Sequence, residues 1–376
     1  MVTVQTLVIY TLLFFSMFML CKNGTTGKRD SFIWPLLAVV IYAIVFGVRY
    51  GVGVDHVGYL EDVMADQARG YINYLDETEP GFLAIRSFFS LNGFHYSWFF
   101  GFVAFAQLIF VFLAVKKDRK IYPYLAISFA LMCIWLSYAN GLRQELAFCI
   151  FAYALSLATN KKNIFWIALL IVAAISMHKS AYLLIAVIIP CLLSKKGWFK
   201  NVRWQFVLLF ISLIVGQSPL VQSLDNYIDL LEYIGYEDYL EEEFSDLIVN
   251  SSTRRGLGFY ILLLIDILII ASSNKVKSSC KSDFLTRAYD LYFVGAIAHY
   301  ALLSNSLLQR VNYYFYGFNF IVMAYTLFVM NKANKKLYYT ILAVLALYFI
   351  GHLYRMYDNT AAYYFFWQQE LYQLNR

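Results

Sequence analysis

Long apolar runs alternate along the chain with short charged interruptions, and the runs approach the length of a membrane crossing. They fall at about 1–21, 32–48, 95–115, 121–138, 145–159, 164–177, 180–193, 204–218, 256–272, 289–304, 311–330 and 337–353. This pattern predicts about twelve transmembrane helices. Several runs are shorter than the ~20 residues a span needs, so their ends must extend into flanking segments. Residues 81–94 (GFLAIRSFFSLNGF) are too short and interrupted to cross, and fit an interfacial or re-entrant helix. The stretch 1–21 lacks a basic start and a small-residue cleavage site, so it reads as a first span that stays. No internal repeat or low-complexity segment is visible. The expectation is an all-α, polytopic integral membrane protein, with 1–376 as a single transmembrane domain.

Composition identifies the solvent. Of 376 residues 61% are hydrophobic and 14% charged, against a globular norm of about 25% charged. Mean hydropathy is +0.59. So few charges could not give a water-exposed surface to the two or three cores of a soluble chain this long. That excludes a cytosolic enzyme, a secreted disulfide scaffold and a disordered protein. The 33 Phe, 32 Tyr and 7 Trp suggest interfacial belts, or surfaces on which a planar or sugar ring could stack. The five cysteines show no CxxC pair and no metal-ligand spacing, and read as small hydrophobes without a structural disulfide.

Charge sets the orientation. With twelve spans, the loops 21–31, 116–120, 160–163, 194–203, 273–288 and 331–336 all fall on one side, and they hold 20 of the 30 Lys and Arg. That side is cytoplasmic, and both termini then lie outside. The net charge of +6 is dispersed in short clusters, which excludes a phosphate-tracking stripe and a nucleic-acid partner. The outer face carries two long acidic, Tyr-rich segments, 49–80 and 219–255. With the helix at 81–94, outer loops 49–94 and 219–255 would roof a substrate cavity. In the second loop nine acidic residues interleave with Tyr227, Tyr233, Tyr236 and Tyr239, as in a glycan-binding lid; a short amphipathic helix lying on the membrane is the plainer alternative.

The unusual polar residues sort to the same outer face. Ionisable groups at membrane depth are costly and usually face a bundle interior or a watery cavity. Arg49-Tyr-Gly-Val-Gly-Val-Asp55-His56 follows the second run; its glycines permit close wrapping around a ligand, and a plain helix exit with an anchoring Arg49 is equally open. Asn140, Arg143, Gln144 and Ala147 share one helical face, where an arginine can grip a phosphate in two-pronged fashion. His178-Lys179-Ser180 occupies a tight outer turn; His178 is either a packing residue or a general base. Ser306, Gln309, Arg310 and Tyr313 form one stripe, making Arg310 a second candidate clamp. Arg254-Arg255 closes the acidic loop as a third clamp or a span anchor. There is no Asp-x-Asp, Walker motif, His/Cys zinc spacing or Gly-x-Ser-x-Gly elbow, so chemistry without metal, ATP or redox cofactor is expected.

R49YGVGVDHVGY59, E79PGF82, N140GLRQELA147, H178KSA181 and Q309RVNYYF315 together resemble the EpsG family of exopolysaccharide and O-antigen (Wzy-type) repeat-unit polymerases. His56 departs from the pattern, where the family often has an aromatic. The resemblance implies a GT-C-like membrane glycosyltransferase acting on the periplasmic face of a bacterial inner membrane, by metal-independent inverting transfer. Its partners would be undecaprenyl-pyrophosphate-linked glycans, membrane lipid and a chain-length regulator protein. In that setting Arg143 and Arg310 are expected to bind the pyrophosphate, with Arg49 and Arg254 in reserve. His178 and Asp55 compete as acceptor base, with Glu79 third; Asn140, Gln144, Gln309, Tyr313 and Tyr59 support. A ligase moving finished glycan to another acceptor, and a flippase of lipid-linked oligosaccharide, are the alternatives.

Overall fold

The computed structural model describes residues 2–26, 32–72, 79–160, 162–193, 197–218, 256–303, 305–356 and 360–374. The expected lid at 219–255, including Arg254, lies outside the described residues. Apart from connecting loops and one short strand pair the described residues are helical, and each of the twelve apolar runs falls on helix. Among the described residues five helices are long and apolar enough to cross a membrane: Val4–Thr25, Tyr96–Ala114, Leu257–Cys280, Leu308–Ala333 and Lys335–Arg355. A sixth is added if one bent pair counts as a single span, and four more apolar helices are shorter. Large apolar side chains such as Leu12, Phe15, Leu347 and Ile350 point outward from these helices, as in a multi-pass protein whose solvent is lipid.

The chain forms two compact units: Met1–Ala181 with Leu345–Arg376, and Tyr182–Val344. The first contains α1 (Val2–Thr26), α2 (Ile33–Gly47), α3 (His56–Arg69), α4 (Pro80–Leu91), α5 (Tyr96–Ala114), α6 (Tyr122–Leu131), α7 (Ile134–Asn140), α8 (Leu142–Thr159) and α9 (Ile164–Met177). Here α2 packs on α1 and α5, α5 on α8, and α8 on α9. Helices α3 and α4 pair with each other, α3 touches α5, and α4 touches α5 and α9. An aromatic core of Tyr50, Phe82, Phe89, Phe99 and Phe100, with Leu60, Val63 and Leu142, lies beneath α3 and α4. Strand β1 (Arg49–Tyr50) pairs antiparallel with β2 (Tyr364–Phe365), Arg49 opposite Phe365.

Two expectations need correction. Residues 49–80 are not simply a loop, because α3 occupies their middle. It buries His56, Leu60, Val63 and Asp66 on one face and stops at Gly70, which takes φ 72. The run at 121–138 is not one straight span either. It bends by 68° between α6 and α7, where Cys133 adopts φ 56 without being glycine. Lipid offers no partner for unwound backbone, so the protein must supply one. Trp135 Nε1 donates to the Ala130 carbonyl at 3.2 Å. Gln107 Nε2, on α5, donates to the Tyr138 and Leu142 carbonyls at 3.2 and 3.3 Å.

The second unit holds α10 (Leu183–Leu193), α11 (Val202–Val215), α12 (Leu257–Cys280), α13 (Asp283–Ala301), α14 (Ser306–Tyr316), α15 (Asn319–Ala333) and the start of α16 (Lys335–Met356). Helix α13 packs on α14, α11 and α15. The buried carboxylate of Asp266 on α12 accepts hydroxyls from Tyr292 (2.7 Å), Tyr300 (2.6 Å) and Tyr316 (2.8 Å), tying α12 to α13 and α14. Asp290 accepts the Trp198 N–H at 3.0 Å and Arg287 Nη1 at 3.1 Å, pinning the start of the 197–201 segment.

Candidate active site

Three helix ends in the first unit meet at one carboxylate. Pro80 occupies the first turn of α4, where its missing N–H costs nothing, and this puts Glu79 at the N-cap. Gly81 lets that end come flush against α9: a Cβ there would lie 2.3 Å from Ser176 Oγ and 2.6 Å from Met177 Cε. Helix α9 stops as His178 turns extended (φ −155, ψ 130). Gly141 separates α7 from α8, so Arg143 stands in the first turn of α8.

Glu79 is 4% exposed and both its oxygens are engaged. Oε2 accepts Arg143 Nη1 at 2.8 Å, and Oε1 accepts the Lys179 backbone N–H at 3.0 Å. His178 Nδ1 lies 2.8 Å from Oε1, with the ring turned off the ideal hydrogen-bond line. Burial pushes the Glu79 carboxyl up, but His178, Arg143 and the Lys179 amide together hold it below the ordinary value. Arg143 also donates through Nε to the Tyr59 hydroxyl at 3.3 Å and stands 5.8 Å from the Tyr59 ring centre. Burial, opposed by Arg143, raises the Tyr59 phenol to about 12. The side chains of Arg143 and His178 remain 36% and 20% exposed. A partly exposed arginine and imidazole therefore share one buried anion.

Charge also fastens the two helices that carry Tyr59 and Glu79. Arg86 on α4 donates through Nε to Asp66 of α3 at 2.8 Å, with both groups buried, and reaches exposed Asp62 at 3.3 Å. Arg69 meets the other Asp66 oxygen at 2.7 Å.

The remaining candidates divide. Arg49 is 1% exposed, and its donors go to backbone: Nε to Val52, Nη1 to Phe46 and Nη2 to the Ala139 carbonyl at 3.0 Å. Its guanidinium lies 5.3 and 5.0 Å from the Phe46 and Phe100 ring centres. This geometry is that of an anchor, as the plainer reading of the motif has it. The glycines beside it wrap the protein's own chain. Gly53 (φ 95) donates its N–H to the Thr360 carbonyl at 3.0 Å, and a Cβ there would sit 2.9 Å from the Ala139 carbonyl oxygen. His56 is a buried ring stacked 4.5 Å from Phe100, held well below its ordinary pKa by burial and by Arg49.

Asp55 is exposed at the N-cap of α3, and its backbone N–H goes to Asn140 Oδ1 at 3.0 Å. Asn140 does not share a helical face with Arg143 and Gln144, because Gly141 breaks the helix between them; its side chain serves as a loop staple. Gln144 is half-buried on α8. In the second unit Gln309 brackets His299, accepting at 2.9 Å from the ring and donating to the backbone carbonyl at 2.6 Å. Gln309, Arg310 and Tyr313 lie on α14, with Arg310 exposed.

Sequence reading missed Asp66, Gln107 and Asp266. Asp266 carried a signal, one ionisable residue inside an apolar run; Asp66 and Gln107 carried none apart from their partners. Among protein families, the model described as the EpsG family matches residues 32–368, nearly the whole chain. No curated protein matches, and no solved structure does.

Proposed function

The chain belongs to the EpsG family, and from that premise we propose that it is a polysaccharide polymerase. It would join undecaprenyl-pyrophosphate-linked repeat units on the outer face of the bacterial inner membrane. Twelve crossings, a GT-C-like architecture and outward-facing termini complete the proposal; they rest on the apolar runs and the positive-inside count. The observation that carries the site is the meeting of Arg143, Tyr59 and His178 around Glu79.

The reaction needs a leaving group stabilised and a hydroxyl deprotonated. The acceptor hydroxyl of one lipid-linked repeat unit attacks the anomeric carbon of the growing glycan. The bond from that carbon to the pyrophosphate oxygen breaks, inverting the configuration, and undecaprenyl pyrophosphate departs with the electron pair. Arg143, preorganised and partly desolvated, stabilises the charge gathering on the pyrophosphate. The proton goes to His178 Nε2, the ring nitrogen away from Glu79. Asp55, exposed at the mouth of α3, orients the acceptor sugar, and Tyr59 offers it a ring face. Arg310 stays a second phosphate-binding candidate on its own helix. Proximity of two lipid-anchored substrates supplies much of the remaining acceleration.

The test is the purified protein in proteoliposomes with undecaprenyl-pyrophosphate-linked repeat units. A ladder of products differing by one unit is expected. A single addition to a foreign acceptor would make the protein a ligase. Movement of substrate across the bilayer without new glycosidic bonds would make it a flippase.

A further inference from the structure

We propose that Glu79 is a positioning residue, not a base: one carboxylate that fixes the tautomer of His178 and the direction of Arg143 at once. The inference rests on the roles proposed above for those two residues.

Glu79 is poorly placed to take a substrate proton. It is 4% exposed, and the groups that meet its oxygens are Arg143 Nη1, His178 Nδ1 and the Lys179 amide. An ionised carboxylate only accepts, so an imidazole nitrogen 2.8 Å away must carry a proton. A neutral His178 with its proton on Nδ1 has Nε2 unprotonated, as a base requires. The Lys179 amide fixes the rotation of the carboxylate, and with it the plane offered to the ring. The ring's turn off the ideal line agrees with a site that tightens once substrates bind.

The second oxygen does the same for Arg143. Nη1 goes to Glu79 and Nε to the Tyr59 hydroxyl, so the guanidinium plane is set from two directions. The N-cap of α4, the first turn of α8 and the end of α9 are thereby joined through one residue. Clamp and base cannot move independently.

Two variants and one spectrum test this. In protein labelled with 15N-histidine, His178→Gln identifies the His178 signal among the five histidines. The parent is expected to show an Nδ1–H tautomer, and Glu79→Leu to lose it. In the ladder assay Glu79→Leu should lower kcat roughly a hundred-fold, the cost of a small misplacement of a reacting group. Glu79→Gln can keep its amide oxygen on His178 and Lys179 while turning an NH2 donor against Arg143. It should therefore raise KM for the pyrophosphate donor more than it lowers kcat. A tautomer unchanged in Glu79→Leu, or equal kcat losses in both variants with KM constant, would overturn the inference. Parental synthesis by His178→Gln would overturn the proposed base, and the positioning of that base with it. An inactive His178→Gln with an unchanged tautomer in Glu79→Leu would overturn the inference alone.

Discussion

At the scale of single residues, two arginines drawn from similar motifs end in opposite environments. Arg49 spends its fork on backbone carbonyls between two aromatic rings, whereas Arg143 stays partly exposed beside Tyr59 and Glu79. Arg49→Lys keeps the charge but cannot reach three carbonyls. It should destabilise the protein by about 1.5–3 kcal/mol, the worth of a hydrogen bond to a charged group; thermal unfolding in detergent reads this, and parental stability would contradict the anchor. Arg143→Lys should instead unfold normally and polymerise a hundred- to a thousand-fold more slowly, about 2.7–4 kcal/mol of barrier. Acid gives a further check. The Glu79 carboxyl is held below its ordinary value of 4.5, so its contribution to stability is complete above that value and is lost as pH falls through the lower folded one. Relative to the parent, Glu79→Gln should therefore lose its stability deficit on acidification below 4.5; a deficit independent of pH would mean the carboxylate's charge is irrelevant. The motif spacing announced Arg143, His178 and Glu79 as polar residues at helix ends. It could not announce that Glu79 would receive the other two, since the three lie far apart in the chain.

At the scale of elements, the apolar runs were readable because burial in lipid demands length and hydropathy, both of which are local. The misreadings came where tertiary partners decide the backbone. Nothing in ISFALMCIW marks a break, yet Trp135 and a left-handed Cys133 make one tolerable. Helix α3 escaped notice because charge dominates 55–69, although His56, Leu60 and Val63 repeat at helical spacing and Gly70 ends it. The buried Arg86–Asp66 pair adds to the aromatic core in holding α3 to α4. Asp66→Ala takes the buried carboxylate from both Arg86 and Arg69 while Asp62 stays 3.3 Å from Arg86, so it should cost about 1.5–3 kcal/mol, the worth of a hydrogen bond to a charged group. Activity should fall with it, as α3 carries Tyr59 and α4 carries Glu79. Unchanged unfolding would show that the pair is replaceable by water.

At the scale of the whole molecule, family membership spans residues 32–368, while orientation rests on charge alone. In a background without the native cysteines, probes at Glu61 and Met64, both exposed on α3, should react with an impermeant thiol reagent in intact cells. Probes at Lys117 and Asn334 should stay silent. Reversed labelling would put the Glu79 site on the cytoplasmic side and end the polymerase reading, because the lipid-linked repeat units it needs would face the other way. The all-helical, multi-pass character was legible in the chain as apolar runs; the grouping into two compact units was not, since it depends on which helices pack together. The claim that most needs testing is that Arg143 and His178, gathered at Glu79, form the active site of a polymerase. The direct measurement is product length and initial rate from purified, lipid-linked repeat units, with parent, Arg143→Lys and His178→Gln at matched protein levels. Long ladders from the parent and rates lowered at least about a hundred-fold in both variants are the predicted result; near-parental ladders from both variants would contradict it.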